Sequence, residues 1–121
     1  GLWKEFYKNG TVAQETNYRV GNLEGLQITY TKSGKKVSER KYKADALVAV
    51  TFWNEAGKEL GKFDIVGRTT VTEYYENGNR AAEGDYVNGK KSGEWNTYHP
   101  ISGWRTTKEE YYQGELDGTR K

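Results

Sequence analysis

The chain has 121 residues, room for at most one ordinary domain, and its 19 basic and 17 acidic side chains leave a net charge of +2. That balance excludes a chain drawn to nucleic acid or an anionic membrane by charge alone. The absence of Cys excludes disulfides, thiolate metal sites and thiol nucleophiles.

A hydrophobic share of 34% would suit a disordered chain, yet 10 Tyr and 4 Trp bring the aromatic share to 14%. Disordered segments are poor in such rings, so the expectation is a thin structure that buries rings and little else. The longest apolar run, from Ala46 to Trp53, is far too short to span a membrane as a helix. Met is absent too. The chain is therefore read as a processed form, and its composition suits an exported bacterial protein, periplasmic or surface-borne, better than a cytoplasmic one.

One phrase recurs along the chain. Tyr-x-x-Gly-x-x-x-Gly stands at Tyr18-Gly21-Gly25, Tyr86-Gly89-Gly93 and Tyr111-Gly114-Gly118. In four units a turn glycine precedes the Tyr by eight residues: Gly10 and Tyr18, Gly34 and Tyr42, Gly78 and Tyr86, Gly103 and Tyr111. Such fixed spacing marks a repeat architecture.

The first unit, 1–24, has an aromatic arm, Trp3-Lys4-Glu5-Phe6-Tyr7, a turn at Asn9-Gly10 and a polar return arm. Asn-Gly signals a two-residue type I′ loop, in which both residues need positive φ. In that register Lys8 faces Thr11, Phe6 faces Ala13 and Lys4 faces Glu15. The second unit, 25–48, repeats the plan with Tyr30 and Ser33-Gly34. The third, 49–68, is short, carries Phe52-Trp53 and Ala56-Gly57, and lacks the closing Tyr. Beside it lies the most apolar stretch, Leu47 to Val50, so the ribbon is expected to bend or pack on itself there. The fourth unit, 69–92, has Tyr74-Tyr75 and Asn77-Gly78; the fifth, 93–117, has Trp95, Tyr98 and Ser102-Gly103, and Gly118 opens another.

A lone hairpin is marginal in water, so serial hairpins must pair with their neighbours. The predicted fold is all-β: an elongated antiparallel meander forming one repeat domain over 1–121, with a fragment of a longer array as the open alternative. Gly10, Gly34, Gly57, Gly78, Gly103, Gly21, Gly89 and Gly114 are its expected structural turn residues. The turn reading also implies that Gly78→Val destabilises more than Gly61→Val.

Several signals have plainer readings. Gly84-x-x-x-x-Gly89-Lys90 matches most of a phosphate loop, but Lys91 stands where Ser or Thr must hold magnesium. His99 has no second His or Cys to share a metal, and beside Pro100 it reads as an exposed turn residue. Glu15, Glu39, Glu59 and Glu83 fall singly on return arms beside basic residues, unlike a catalytic pair facing a cleft. Lys35-Lys36, Arg40-Lys41-Lys43 and Lys90-Lys91 lie near aromatics, yet interleaved acids nearly cancel their charge. No catalytic residue, cofactor or metal is expected.

Gly1-Leu2-Trp3 to Phe6 and Gly93-Glu94-Trp95 to Tyr98 share the pattern Gly-x-Trp-x-x-aromatic. With Glu73-Tyr74-Tyr75-Glu76-Asn77-Gly78 and Glu83-Gly84-Asp85-Tyr86-Val87-Asn88-Gly89-Lys90, this resembles the MORN repeat family in its bacterial variant, the YwqK-like antitoxin group. The resemblance implies hairpin repeats in a long, curved, single-layer sheet, with no catalysis attached to the repeat. The pentad Tyr-x-Gly-x-Trp of the lipid-linked eukaryotic form is absent, so lipid binding is not carried over.

Rings this numerous cannot all be buried in a thin sheet, and an exposed aromatic array is a recognition surface. The expected function is a non-enzymatic protein-interaction module or scaffold, antitoxin-like by resemblance. Trp3, Tyr7, Trp53, Tyr75, Trp95, Trp104 and Tyr112 are the candidate binding surface. The expected partner is a protein or a second copy, held by the aromatic face or an open strand edge. The alternative is binding to cell-wall or surface glycan; nucleic acid and membrane lipid are not expected.

Overall fold

The computed structural model describes residues 1–112 and the strand Glu115–Leu116; the expectations for Gly114 and Gly118 lie outside the described residues. The strands in order are β1 (Leu2–Phe6), β2 (Val12–Arg19), β3 (Asn22–Tyr30), β4 (Lys36–Lys43), β5 (Ala46–Trp53), β6 (Glu59–Asp64), β7 (Arg68–Tyr74), β8 (Arg80–Val87), β9 (Lys90–Tyr98), β10 (Arg105–Tyr112) and β11 (Glu115–Leu116). Within each of two sheets every strand pairs antiparallel with the next in sequence, and no helix occurs among the described residues. The expected all-β meander is what the chain forms.

The ribbon is not one layer, however. It divides into a six-stranded sheet, β1 to β6, and a five-stranded sheet, β7 to β11. The division falls at Ile65-Val66-Gly67, in the short third unit, where Gly67 takes a positive φ of 55°. The ladder does not pass from β6 to β7.

The turns depart from expectation in an instructive way. At Asn9-Gly10 only the glycine has positive φ, and Phe6 pairs with Val12 rather than Ala13. Gly10 N–H donates to Tyr7 C=O at 3.0 Å, and Tyr7 N–H donates to Thr11 C=O at 2.8 Å. That is a three-residue loop with a bulged glycine, and a second irregularity between Glu5 and Phe6, where Ala13 is the extra residue, restores the Lys4–Glu15 pairing. Asn9 stays out of the left-handed region because its Oδ1 accepts Thr11 N–H at 2.9 Å. The type I′ geometry appears instead in the connectors Val20-Gly21, Ala44-Asp45 and Asn88-Gly89, where both residues have positive φ.

The core lies where the sheets meet, on β5 and β7–β9. Leu47, Val50, Phe52, Ile65, Val71, Ala82, Tyr86 and Trp95 form one buried cluster. Burying an aliphatic or aromatic side chain of this size contributes roughly 1.5–3 kcal/mol, so this cluster is what holds a thin fold. Phe52 meets Tyr74 edge-on at 5.9 Å between ring centres, and Tyr86 meets Trp95 the same way at 5.4 Å. Leu47 N–H donates to Gly89 C=O at 3.0 Å, tying the β4–β5 connector to the β8–β9 connector. Arg40 Nη2 pairs with Glu73 Oε2 at 3.3 Å, both about four-fifths buried, and so bridges β4 to β7.

Candidate interaction surface

Each first arm delivers its aromatics in register with the turn that follows it. Tyr7, Thr31, Asn54, Tyr75 and His99 occupy the same place, each with its C=O accepting from the turn glycine. Adjacent turns are stitched together through these positions. The Tyr7 hydroxyl donates to Tyr30 C=O at 2.5 Å and Asn9 Nδ2 to Lys32 C=O at 3.1 Å. One array later, the Tyr75 hydroxyl donates to Tyr98 C=O at 2.6 Å and Asn77 Nδ2 to Pro100 C=O at 2.9 Å. Glu55 N–H donates to Glu76 C=O at 3.0 Å, so the third turn makes the same join with its backbone. Tyr7 and Tyr75, expected on a binding surface, are half-buried, and their hydroxyls join consecutive repeats. The 23-residue offset between Tyr7 and Tyr30, and again between Tyr75 and Tyr98, was the signal for this role.

The remaining aromatics separate by environment. Trp3 is 63% exposed on β1, the free edge of the larger sheet. Trp53 is half-buried; Lys36 Nζ lies 4.7 Å from its ring centre, and it closes one end of an open groove of about 310 Å³ floored by Ala49 and Thr51. Trp104, in the β9–β10 turn, is 77% exposed beside an equally exposed Ile101, and Tyr112 is exposed on β10. These rings do not gather on one face. Trp95 leaves the candidate surface altogether: it is 2% exposed, over Gly84, with its Nε1–H donating to Asp85 C=O at 3.0 Å. A glycine two residues before Tyr86 was the cue that something large covers that spot. Leu2 and Phe6, absent from the expected surface, are 54% and 60% exposed on the same strand as Trp3.

Ionisable groups follow from their neighbours. A hydrogen bond from Thr70 Oγ1 at 2.6 Å, helped by Arg68 Nη1 at 2.7 Å, holds the Asp85 carboxyl below the usual carboxylate range. Burial pushes the Tyr86 hydroxyl well above its ordinary value, and the Glu73 carboxylate adds to the shift. Burial likewise raises Tyr42, and raises Tyr30, whose hydroxyl donates to Glu15 Oε1 at 2.8 Å. His99 is exposed, and its Nδ1 accepts the N–H groups of Ile101 and Ser102, both at 3.1 Å, which makes it a cap for its own turn. Gly84 to Lys91 is an antiparallel hairpin rather than a strand leading into a helix, so the phosphate-loop resemblance has no structure behind it. No group of acidic or imidazole side chains poised for a metal occurs among the described residues.

The model of the MORN repeat variant matches residues 1–19, 23–44 and 69–88, together just over half of the chain. The chain belongs to the MORN repeat variant family. MORN repeat proteins are generally non-catalytic, and their repeats generally mediate protein or membrane interactions. The matches pass over residues 45–68, where the structure breaks the sheet. No curated protein shows significant similarity to the chain.

Proposed function

We propose that this MORN repeat chain is a non-enzymatic protein-interaction module that engages its partner through an open strand edge and the apolar side chains displayed there. The observation that carries the reading is β1: all five of its residues are exposed, and they include Leu2, Trp3 and Phe6. A paired strand with a free, apolar edge is a ready template for another chain. An antitoxin role is the narrower form of this reading, with a toxin as the partner.

The reading is tested by placing a photo-crosslinking amino acid at Phe6, at Trp104 and, as a control, at Lys43, an exposed polar position on β4, which is paired on both sides. Protein adducts at Phe6 or Trp104 and none at Lys43 are the expected outcome. Glycan binding is the second reading, supported by the Trp53 groove, where a ring stands among Glu39, Lys41, Glu59 and Lys62. Absence of protein adducts at all three positions, with retention on insoluble peptidoglycan that soluble sugar releases, would replace the first reading with the second.

A further inference from the structure

The first four turns are each held from within by a side-chain oxygen. Asn9 Oδ1 accepts Thr11 N–H and Asn77 Oδ1 accepts Asn79 N–H, both at 2.9 Å. Thr31 Oγ1 accepts Lys35 N–H at 3.1 Å, and Asn54 Oδ1 accepts Ala56 N–H at 2.9 Å and Lys58 N–H at 3.0 Å. The fifth turn is one residue longer. Tyr7, Thr31, Asn54 and Tyr75 donate their N–H to Thr11, Lys35, Lys58 and Asn79 C=O, whereas His99 N–H reaches past Gly103 to Trp104 C=O at 2.8 Å. The longer loop leaves two inner amides, those of Ile101 and Ser102, and His99 Nδ1 accepts both at 3.1 Å. A nitrogen stands where the other turns use an oxygen.

That exchange decides what a proton can do. The oxygens of Asn and Thr keep their protonation near neutral pH, whereas an imidazole does not. Because Nδ1 accepts, the neutral ring carries its hydrogen on Nε2, and a second proton goes to Nδ1. The acceptor then becomes a donor facing two N–H groups, and both hydrogen bonds are lost together. The neighbouring elements do not offset this. β8 brings Arg80, 3.8 Å from the centre of the Tyr98 ring, and β10 brings Arg105, paired with Tyr98. The fourth turn brings the Tyr75 hydroxyl to Tyr98 C=O and the Asn77 and Asn79 amides to Pro100 C=O, with Glu76 as its carboxylate. Among the described residues no carboxylate forms an ion pair with His99. What the turn displays is apolar: Ile101 and Trp104 are each 77% exposed. Trp104 is fixed at both backbone atoms, its C=O by His99 and its N–H by Ser102 Oγ at 3.3 Å.

We propose that His99 is a proton-sensitive latch: neutral, it fixes the loop that displays Ile101 and Trp104, and protonated at Nδ1 it lets that loop go. Its use rests on the interaction-module reading, for which it supplies the regulation at one surface. A partner docked on Trp104 at neutral pH is released as the medium acidifies.

The test follows the intact chain by nuclear magnetic resonance from about pH 7.5 to about pH 5, a range that spans imidazole titration. At the upper end the His99 ring should be the Nε2–H tautomer. The Ile101 and Ser102 amides and the Trp104 indole should then move together with the ring as it takes its proton, while the Thr11 and Asn79 amides stay in place. His99→Asn, which restores the oxygen acceptor of the third turn, should leave those three resonances indifferent to pH across the range. An Nδ1–H tautomer at the upper end, or Ile101 and Ser102 unmoved as the ring titrates, would overturn the latch. The crosslinker at Trp104 separates the two readings. Adducts should fall several-fold at the acidic end in the parent chain and stay level in His99→Asn; level adducts in the parent would also overturn the proposal. No Trp104 adduct at either end, with the resonances still tracking His99, would keep the latch and remove docking from this surface.

Discussion

At Gly89 the backbone φ is +82° and at Gly21 it is +81°, yet a methyl group has different surroundings at the two sites. At Gly21 nothing lies within 4 Å; at Gly89 a Cβ would stand 2.7 Å from Ala46 Cβ and 2.8 Å from Leu47 O. Gly21→Ala should therefore cost about 1–2 kcal/mol for the left-handed backbone alone. Gly89→Ala should cost about 1–3 kcal/mol more, because it pushes apart the two connectors where the sheets join. Urea denaturation of the two variants measures the difference, and equal midpoints would show that the join tolerates displacement. The comparison of Gly78 with Gly61 suggested by the sequence does not isolate the turn. Gly61 has ordinary φ, but its Cβ would sit 3.0 Å from Phe63 and 3.1 Å from Tyr74. Asp85 supplies a pH test. Its carboxyl is depressed, so the stability it contributes is present above about pH 4 and lost as the pH falls through its folded-state value. Asp85→Asn should flatten that acid limb and leave the slope above about pH 5 unchanged, read as denaturation midpoint against pH.

Between elements, the hairpins are joined by turn residues as well as by strand ladders. Tyr7→Phe and Tyr75→Phe each delete one hydroxyl donor between consecutive turns and nothing else. Each should cost about 1 kcal/mol, and the double variant the sum, since the two sites lie in different sheets. Thermal unfolding of the three variants checks both statements. The edge element β1 is the exception among the strands, since it presents large apolar residues without a covering neighbour. Its ion pair, Lys4 with Glu15 at 3.8 Å, is largely solvent-accessible and contributes little.

For the whole molecule, cohesion depends on the contact between two sheets that the ladder does not connect. The Arg40–Glu73 pair bridges them at 3.3 Å, with the guanidinium also 5.3 Å from the centre of the Phe52 ring. Arg40→Met leaves Glu73 largely buried without its partner and should destabilise by on the order of 3 kcal/mol. Arg40→Met combined with Glu73→Leu should recover much of that loss, because the stranded charge is gone. In urea, the single variant should also broaden the transition as the sheets begin to unfold separately, whereas the parent chain unfolds in one step. A single variant as stable as the parent would show that the apolar cluster alone holds the sheets together.

The antiparallel order of the strands, the reversals marked by glycine and the repeat family were legible in the sequence, whereas the Ala44-Asp45 connector, with positive φ at both residues and no glycine, was not. Glycine spacing records where φ must be positive, and that requirement is local to one or two residues. The same locality explains what was missed. Asn9-Gly10 and Asn88-Gly89 read alike, but Asn9 is drawn into a bulged loop by its own side chain while Asn88 takes the left-handed region. Trp3 and Trp95 sit in the same Gly-x-Trp-x-x-aromatic phrase; one is exposed and the other lies in the core. Local sequence set their shared place on the strand. Tertiary structure alone decided their burial, because burial depends on whether a second strand lies alongside, and that strand is contributed by residues elsewhere in the fold.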